Sequence, residues 1–276
     1  MDLEILRYDH QKDREVLKDF SGKIWKSNSH HSDNLHWEWL FCDNPNNPGN
    51  KPQIWIIKQN KKVVGQLATI PIPVKVKNDF CLAYWAVDLA VDPAFRRQGL
   101  AVKLVSNVNK QVDLLMTLGS NLASYRLFKK LNWLDIGKVP HMIKILNVDT
   151  APWGRIKKFI FKCLNFFSVQ FIAKVYNILK APPQNQNIKI NEIVKFDEKF
   201  NLLWQRLESK YLVAANRDVL FLNWRYASHS GSGYTIFQAN TNGVLSGYIV
   251  LKIRYAGFER TGIIIDILSE PDSLDY

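Results

Sequence analysis

The chain has 276 residues, 47% hydrophobic and 12% aromatic, which is too apolar for a disordered chain and long enough for one large domain or two smaller ones. A formal net charge of +12 favours anionic partners, whether a phosphorylated cofactor, a nucleic acid or an acidic membrane surface, without choosing among them. The three cysteines, Cys42, Cys81 and Cys163, are far apart, which argues against a disulfide framework or a zinc site and for a reducing compartment; no secretory leader or membrane-length apolar run is read.

Glu4 to Tyr8 predicts a short strand, and Asp13 to Lys26 an amphipathic helix with Val16, Leu17, Phe20 and Ile24 at helical spacing. From His30 to Leu40 the chain crowds histidines, acids and tryptophans. Without a second ligand cluster these histidines do not read as a metal site, and Trp37, Glu38 and Trp39 are assigned to substrate lining or packing. After a Pro/Asn/Gly-rich loop, Gln53 to Gln59 and Val63 to Lys75 predict a hairpin, with Gly65 marking a bulge or a close backbone approach. A third strand, Phe80 to Val91, puts Trp85 and Val87 on one face and Ala86, Asp88 and Ala90 on the other by simple alternation. Asp88 is there either a hydrogen-bonding partner or a general base. Cys81 reads as a buried strand residue.

This strand runs through Asp92-Pro93 into Arg96-Arg97-Gln98-Gly99-Leu100-Ala101. A helix opening near Gln98 leaves unpaired N–H groups at its positive end, Gly99 permits close approach, and Arg96 and Arg97 offer forked donors to phosphate. The stretch suits a pyrophosphate, although an ordinary turn with solvated arginines fits the same residues. Ala101, Leu104, Val105, Val108 and Val112 then predict a helix packed on the sheet. Leu114 to Leu118 follows as a buried strand, Leu122 to Leu131 as a helix and Met142 to Leu146 as a further strand: an α/β (α+β) order.

The loop from Arg96 to Ala101 resembles the acyl-CoA-binding motif Arg/Gln-x-x-Gly-x-Gly/Ala of the GNAT superfamily of N-acyltransferases. Asn121 to Trp133 is similar to that family's Asn-x-x-Ala-x-x-x-Tyr-x-x-x-Gly-Phe signature. The resemblance implies a central mixed, mostly antiparallel sheet flanked by helices. It implies acetyl-CoA held by Leu89, Ala90, Val91, Arg96, Arg97, Gln98, Gly99, Leu100, Ala101, Asn121, Ser124 and Phe128, with no metal. A small amine would attack the thioester directly, losing its proton to Asp88 or Glu38, while backbone N–H groups near Leu89 to Val91 stabilise the oxyanion. The family's tyrosine, which protonates the leaving thiolate, falls on Phe128; Tyr125, three residues earlier and expected on the same helix face, is the alternative acid. Asn132 and Trp133 replace the usual Gly and Phe.

Residues 151–181 carry Arg155, Lys157, Lys158, Lys162, Lys174 and Lys180 among aromatics and no acid, which suits a helix packed between domains or one resting on an anionic membrane. Ala181 to Asn187 reads as a linker. Beyond it, Asn223-Trp224-Arg225-Tyr226 echoes His36-Trp37-Glu38-Trp39, Gly243 to Tyr248 echoes Lys62 to Gln66, and Asp266 to Pro271 repeats the spacing of Asp88 to Pro93. The expected organisation is a GNAT-like catalytic domain over 1–150, a linker over 151–187 and a degenerate, partial GNAT-like copy over 188–276. That copy lacks the Arg/Gly loop, and resemblance to tandem members of the superfamily makes Trp224, Arg225 and Tyr226 acceptor-wall candidates. The expected activity is acetyl transfer to a small amine, such as an amino sugar or amino acid derivative, in the cytoplasm or peripheral to a membrane. A longer acyl group, a lipid-linked acceptor and a non-catalytic acyl-CoA-binding module remain alternatives. Nucleic acid is not expected, for want of an aromatic-interleaved basic groove.

Overall fold

The computed structural model describes residues 3–25, 33–139, 187–228, 231, 233–256 and 259–270. The expected strand at Met142 to Leu146, the basic segment 151–181, His30, His31 and Cys163 lie outside them, as does the linker apart from Asn187. The chain divides into two compact units, residues 1–136 with 200–231, and residues 137–199 with 232–276. Among the described residues no helix is long and apolar enough to cross a membrane.

In the first unit β1 (Leu3–Arg7), β2 (Gln53–Gln59), β3 (Lys62–Val76) and β4 (Asp79–Val91) pair antiparallel in chain order, and β5 (Leu114–Met116) adds parallel to β4. The strand expected at Leu114 to Leu118 is shorter than its apolar run, with only Leu115 buried, and Cys81 on β4 is half-buried. On β2, Ile54 and Ile56 enter one core while Trp55 and Ile57 enter another, so both sheet faces are covered. The first face takes α1 (His10–Trp25), through Leu17 and Phe20, and α2 (Asn34–Trp37) with the residues after it. The second takes α3 (Leu100–Asn109) and α4 (Leu122–Lys130). Leu104, Val105 and Val108 of α3 are each 0% exposed, and each such side chain stabilises by about 1.5–3 kcal/mol.

The end of α4 explains why Asn132 can stand where the signature it resembles has Gly. Asn132 has φ 58°, a left-handed conformation that Asn tolerates. Its N–H bonds the Lys129 carbonyl at 3.0 Å, and the Trp133 N–H reaches back to Phe128 at 3.0 Å. The rings of Phe128 and Trp133 then stack at 4.4 Å, the apolar contact that closes this type of helix end.

The second half opens with β6 (Ile188–Ile193) in the second unit and continues in the first with α5 (Lys199–Leu207), β7 (Val213–Ala215) and α6 (Val219–Leu222). β7 pairs with Val74 to Val76 of β3, beyond the stretch that β2 occupies. α2 and α6 share a construction. Asp33 and Asp218 cap them with side-chain oxygens, an arrangement worth about 1 kcal/mol. Each then widens into a five-residue turn, closed by Asp43 N–H to Glu38 at 2.9 Å and by Ser228 N–H to Asn223 at 2.8 Å.

In the second unit β6, β8 (Tyr234–Thr241), β9 (Val244–Ala256) and β10 (Glu259–Ser269) form an antiparallel sheet. Its irregularities repeat those of the first. Ile57 faces Gly65 while Lys58 faces Val63, leaving Val64 extra; Ala239 faces Gly247 while Asn240 faces Leu245, leaving Ser246 extra. The carbonyl of each extra residue accepts a bond at 2.9 Å, Val64 from Asp92 N–H and Ser246 from Glu270 N–H. The core of this sheet includes Tyr248, Val250 and Leu268, with Phe196 edge-on to Tyr248 at 5.5 Å.

Candidate active site

β4 and β5 part early. Their parallel pairing covers Ala83 to Trp85 against Leu114 to Met116, whereas β4 runs on to Val91. Just past the split the Thr117 hydroxyl donates to the Ala86 carbonyl at 3.2 Å. Beyond it lies a bulge. Ala68 of β3 faces Val87 and Gln66 faces Ala90, so Leu67 stands opposite both Asp88 and Leu89, and Asp88 has φ 52°. An extra residue reverses the alternation: Ala86 packs in the α3-side core and Ala90 in the α1-side core. Ala86, Asp88 and Ala90 therefore do not share the single face that simple alternation predicts. The bulge also withdraws the backbone near Asp88 and Leu89 from the regular ladder, at the point where the strands diverge.

Val91 leads into the predicted cradle. The Asp92 carboxylate accepts from Ala94 N–H at 3.0 Å and from Lys23 Nζ at 2.5 Å, and the Lys23 bond is the main reason its pKa lies below the usual carboxylate value. Arg96 Nε folds back to donate to the Val91 carbonyl at 3.2 Å. Arg97 and Gly99 have φ 64° and 76°, and Arg97, Gln98 and Gly99 are exposed. α3 opens at Leu100, two residues later than expected, because left-handed Gly99 is its N-terminal boundary. No side chain caps it, and its first internal bond runs from Lys103 N–H to the Gly99 carbonyl at 3.0 Å. The N–H groups of Leu100, Ala101 and Val102 precede that bond and have no acceptor within the helix. A Cβ built on Gly99 would meet nothing within 4 Å, so the space beside this residue is open. Left-handed residues before a helix N-terminus make a concave, electropositive receptor for an anion.

α4 distributes its predicted residues differently. Asn121 Oδ1 accepts from Ser124 N–H at 2.9 Å, capping the helix. Phe128 is 6% exposed and points into the α3-side core, but Tyr125 is 42% exposed and donates to Asp135 Oδ2 at 2.8 Å. Their expected common face is not found, because residues three apart differ by about 60° around a helix and the core boundary falls between them. The bond to Asp135 raises the Tyr125 pKa, making it a weaker proton donor.

Glu38, on the α1 side, is held by the Arg14 guanidinium in an ion pair. His10, Glu38 and Cys42 bring donor atoms within 4.8 Å of one another. Arg14 supplies positive charge to this group, with Nη1 3.3 Å from His10 Nε2, while the Tyr8 hydroxyl lies 3.1 Å from His10 Nδ1. Burial first, and Glu38 second, push the Cys42 thiol up to about 12. Asp88, Glu38 and Tyr125 are thus not drawn into one constellation: one sits in the sheet bulge and the others on elements packed against opposite faces. Sequence reasoning passed over Tyr8, Arg14 and Lys18, which line a cleft beside α1 with Trp37. Trp224, an acceptor-wall candidate, stacks on Trp39, with ring centroids 5.6 Å apart.

A mixed sheet that splits beside a bulge, with an uncapped helix opening at the end of the longer strand, defines an α+β domain suited to an anionic cofactor at the carboxyl edge of β4. Residues 16–133, a little under half of the chain, match the Acetyltransferase (GNAT) family. Three solved structures share the fold over nearly the whole chain. A GCN5-related N-acetyltransferase from Anabaena variabilis aligns with TM-score 0.62 and 13% identity, covering 98% of this chain and 60% of its own. A probable N-acyltransferase of unknown function from Enterococcus faecalis gives 0.58, 12%, 99% and 60%. A GCN5-related N-acetyltransferase from Kribbella flavida gives 0.59, 7%, 99% and 59%. The chain therefore spans about 60% of the length of these proteins, and at such identities the likeness is one of fold. Among curated protein sequences none matches the chain significantly.

Proposed function

We propose that the chain is an acyl-CoA-dependent N-acetyltransferase acting on a small amine. The amine nitrogen attacks the thioester carbon of acetyl-CoA, a C–N bond forms, the C–S bond breaks, and the CoA thiolate leaves with the electron pair. The observation that carries this reading is the parting of β4 from β5 after Trp85, with the longer strand ending at the uncapped N-terminus of α3. In this reading the pyrophosphate lies on the N–H groups that open α3, with Arg97 and Gln98 beside it. The thioester carbonyl lies against the backbone of Leu89 to Val91, whose N–H groups stabilise the oxyanion. The half-buried Asp88 carboxylate takes the proton of the incoming ammonium, directly or through water. Glu38, engaged with Arg14, is the less available base. Phe128 has no proton to give and the Tyr125 hydroxyl is bonded to Asp135, so the thiolate takes its proton from solvent. Residues 188–276 form in this reading a partial second copy, without an Arg/Gly loop, that leaves cofactor binding to the first.

The test is thiol release from acetyl-CoA across a panel of amines, with binding of CoA measured in parallel. Release with any amine supports the reading. Phe128 in the tyrosine position favours a second one, a non-catalytic acyl-CoA-binding module, which CoA binding without turnover would select. Transfer to a lipid-linked acceptor, and contact of the basic segment 151–181 with an anionic membrane, are tested by salt-sensitive co-sedimentation with anionic liposomes.

A further inference from the structure

We propose that the cleft beside α1 is an anion subsite for the acceptor, in which Lys18 and Arg14 read a carboxylate and Glu38 is the positioning residue for Arg14. The inference rests on the transferase reading above, since the acceptor is what would occupy the cleft.

The lining is chemically one-sided. Arg14, Lys18, Ser21 and Asn34 provide hydrogen-bonding groups, Tyr8 and Trp37 provide aromatic surface, and among the described residues no acid lines it. Arg14 and Lys18 stand one helical turn apart on α1, where like charges repel, and an anion bound between them would remove that cost. Among the described residues Lys18 has no ion-pair partner. Lys18 therefore supplies net charge, while Arg14 supplies direction. The guanidinium carries five N–H donors in a planar fork, of which Nη2 is engaged by Glu38 and Nη1 approaches His10, and its side chain is still 43% exposed. Pinning one edge on Glu38 fixes the orientation of the other. Trp37 stacks on His10 at 5.9 Å and meets Tyr8 edge-on, forming a wall suited to methylene groups.

The cleft also leads toward the reaction point. Ser21, in its lining, donates to Gln66 Oε1 at 3.4 Å, and Gln66 faces Ala90 immediately past the Asp88 bulge. Arg14 to Ser21 is nearly two turns of helix, about 10 Å. An acceptor with its amine at the bulge and its carboxylate at Arg14 therefore has several bonds between the two groups.

The experiment uses the full chain and acetyl-CoA with 4-aminobutyrate, 6-aminohexanoate and the corresponding amides. A kcat/KM at least tenfold higher for the acids than for the amides is expected. Lys18→Met and Arg14→Met should reduce that ratio toward unity, mainly through KM, and Arg14→Lys should restore part of it. Glu38→Gln should raise KM for the acids more than for the amides, a split that a general base would not produce. Turnover with equal efficiency on acids and amides overturns the subsite and leaves the transferase reading standing. If no amine is turned over, calorimetric titration of N-acetyl-6-aminohexanoate and its amide in the presence of CoA decides. Binding of the acid alone, lost in Lys18→Met, upholds the subsite while overturning transfer; equal binding or none overturns the subsite.

Discussion

Trp39 and Trp224 are bonded to each other twice: Trp39 Nε1 donates to the Trp224 carbonyl at 2.7 Å and Trp224 Nε1 to the Trp39 carbonyl at 2.9 Å. Residues 185 apart thus make a self-complementary contact, each playing the same part toward the other. Both sit in widened turns that follow an Asp-capped helix, and both are 5% exposed. The relation has the form of an isologous interface drawn within one unit of one chain.

Stability measurements test that symmetry. Trp39→Phe and Trp224→Phe each remove one indole donor and leave a buried carbonyl short of a bond, at about 1–3 kcal/mol apiece, with further loss from reduced packing. Once one ring is smaller the other loses its stacking partner, so the double variant should cost less than the sum of the two. Urea denaturation of the four proteins measures this, and strict additivity would contradict the coupled pair.

The Trp pair also shows where sequence reading stops. Strands and helices with a steady period were legible to within a few residues, because burial on one face imposes the period locally. The Arg/Gly loop and the Asn121 to Trp133 signature were legible because each is continuous in sequence. The faces of Ala86, Asp88 and Ala90 were not, since alternation assumes a ladder with no extra residue and the bulge supplies one. The ion pair of Glu38 was not legible either, because its partner, Arg14, lies 24 residues away and meets it only through the packing of α1 on the sheet. The echo of His36 to Trp39 in Asn223 to Tyr226 aligns Trp224 with Trp37, whereas the matching Asp caps at Asp33 and Asp218 align it with Trp39, because a short echo carries no register of its own.

Gly65 and Gly247 occupy matching places beside the two hairpin bulges, yet substitution should affect them unequally. A Cβ on Gly247 would come within 2.8 Å of both the Leu268 carbonyl oxygen and Ser269 Cβ. Those groups belong to a paired strand and must shift, so Gly247→Ala should cost about 1–3 kcal/mol. On Gly65 the nearest atom is Ile57 Cδ1 at 3.2 Å, a movable side-chain end, and the Ala90 oxygen is at 3.4 Å. Gly65→Ala should cost under about 1 kcal/mol, so denaturation midpoints in the opposite order would contradict the close approach at Gly247.

Gly99 separates a backbone effect from a site effect. At φ 76° any other residue is strained by about 1–2 kcal/mol, but the space around it is open. Gly99→Ala should therefore lower the unfolding midpoint while weakening CoA binding by no more than about tenfold, since the donors that open α3 remain. Gly99→Glu adds the same strain and a negative charge beside the proposed phosphates, and should weaken binding a hundredfold or more. Calorimetric titration with CoA distinguishes the two variants. Unchanged affinity in Gly99→Glu would remove the phosphate site from this loop.

Cys42 offers a pH-dependent readout of the Arg14–Glu38 arrangement. Its thiol pKa is pushed up to about 12, above the ordinary thiol range, by burial and by Glu38. Since only the thiolate alkylates, labelling of Cys42 by iodoacetamide at pH 8 should be slow compared with the same thiol in the urea-unfolded chain. Its rate should climb with pH well past the point where an ordinary thiol levels off. Glu38→Gln removes a negative neighbour, favours the thiolate and should speed labelling at pH 8, as followed by peptide mass spectrometry. The sign for stability is the reverse. Between the ordinary thiol value and about 12 the unfolded chain ionises Cys42 while the folded chain does not, so folding loses stability as pH rises through that window. Cys42→Ala should flatten the alkaline limb of the stability curve relative to the parent, and superimposable limbs would show that the thiol ionises as readily folded as unfolded.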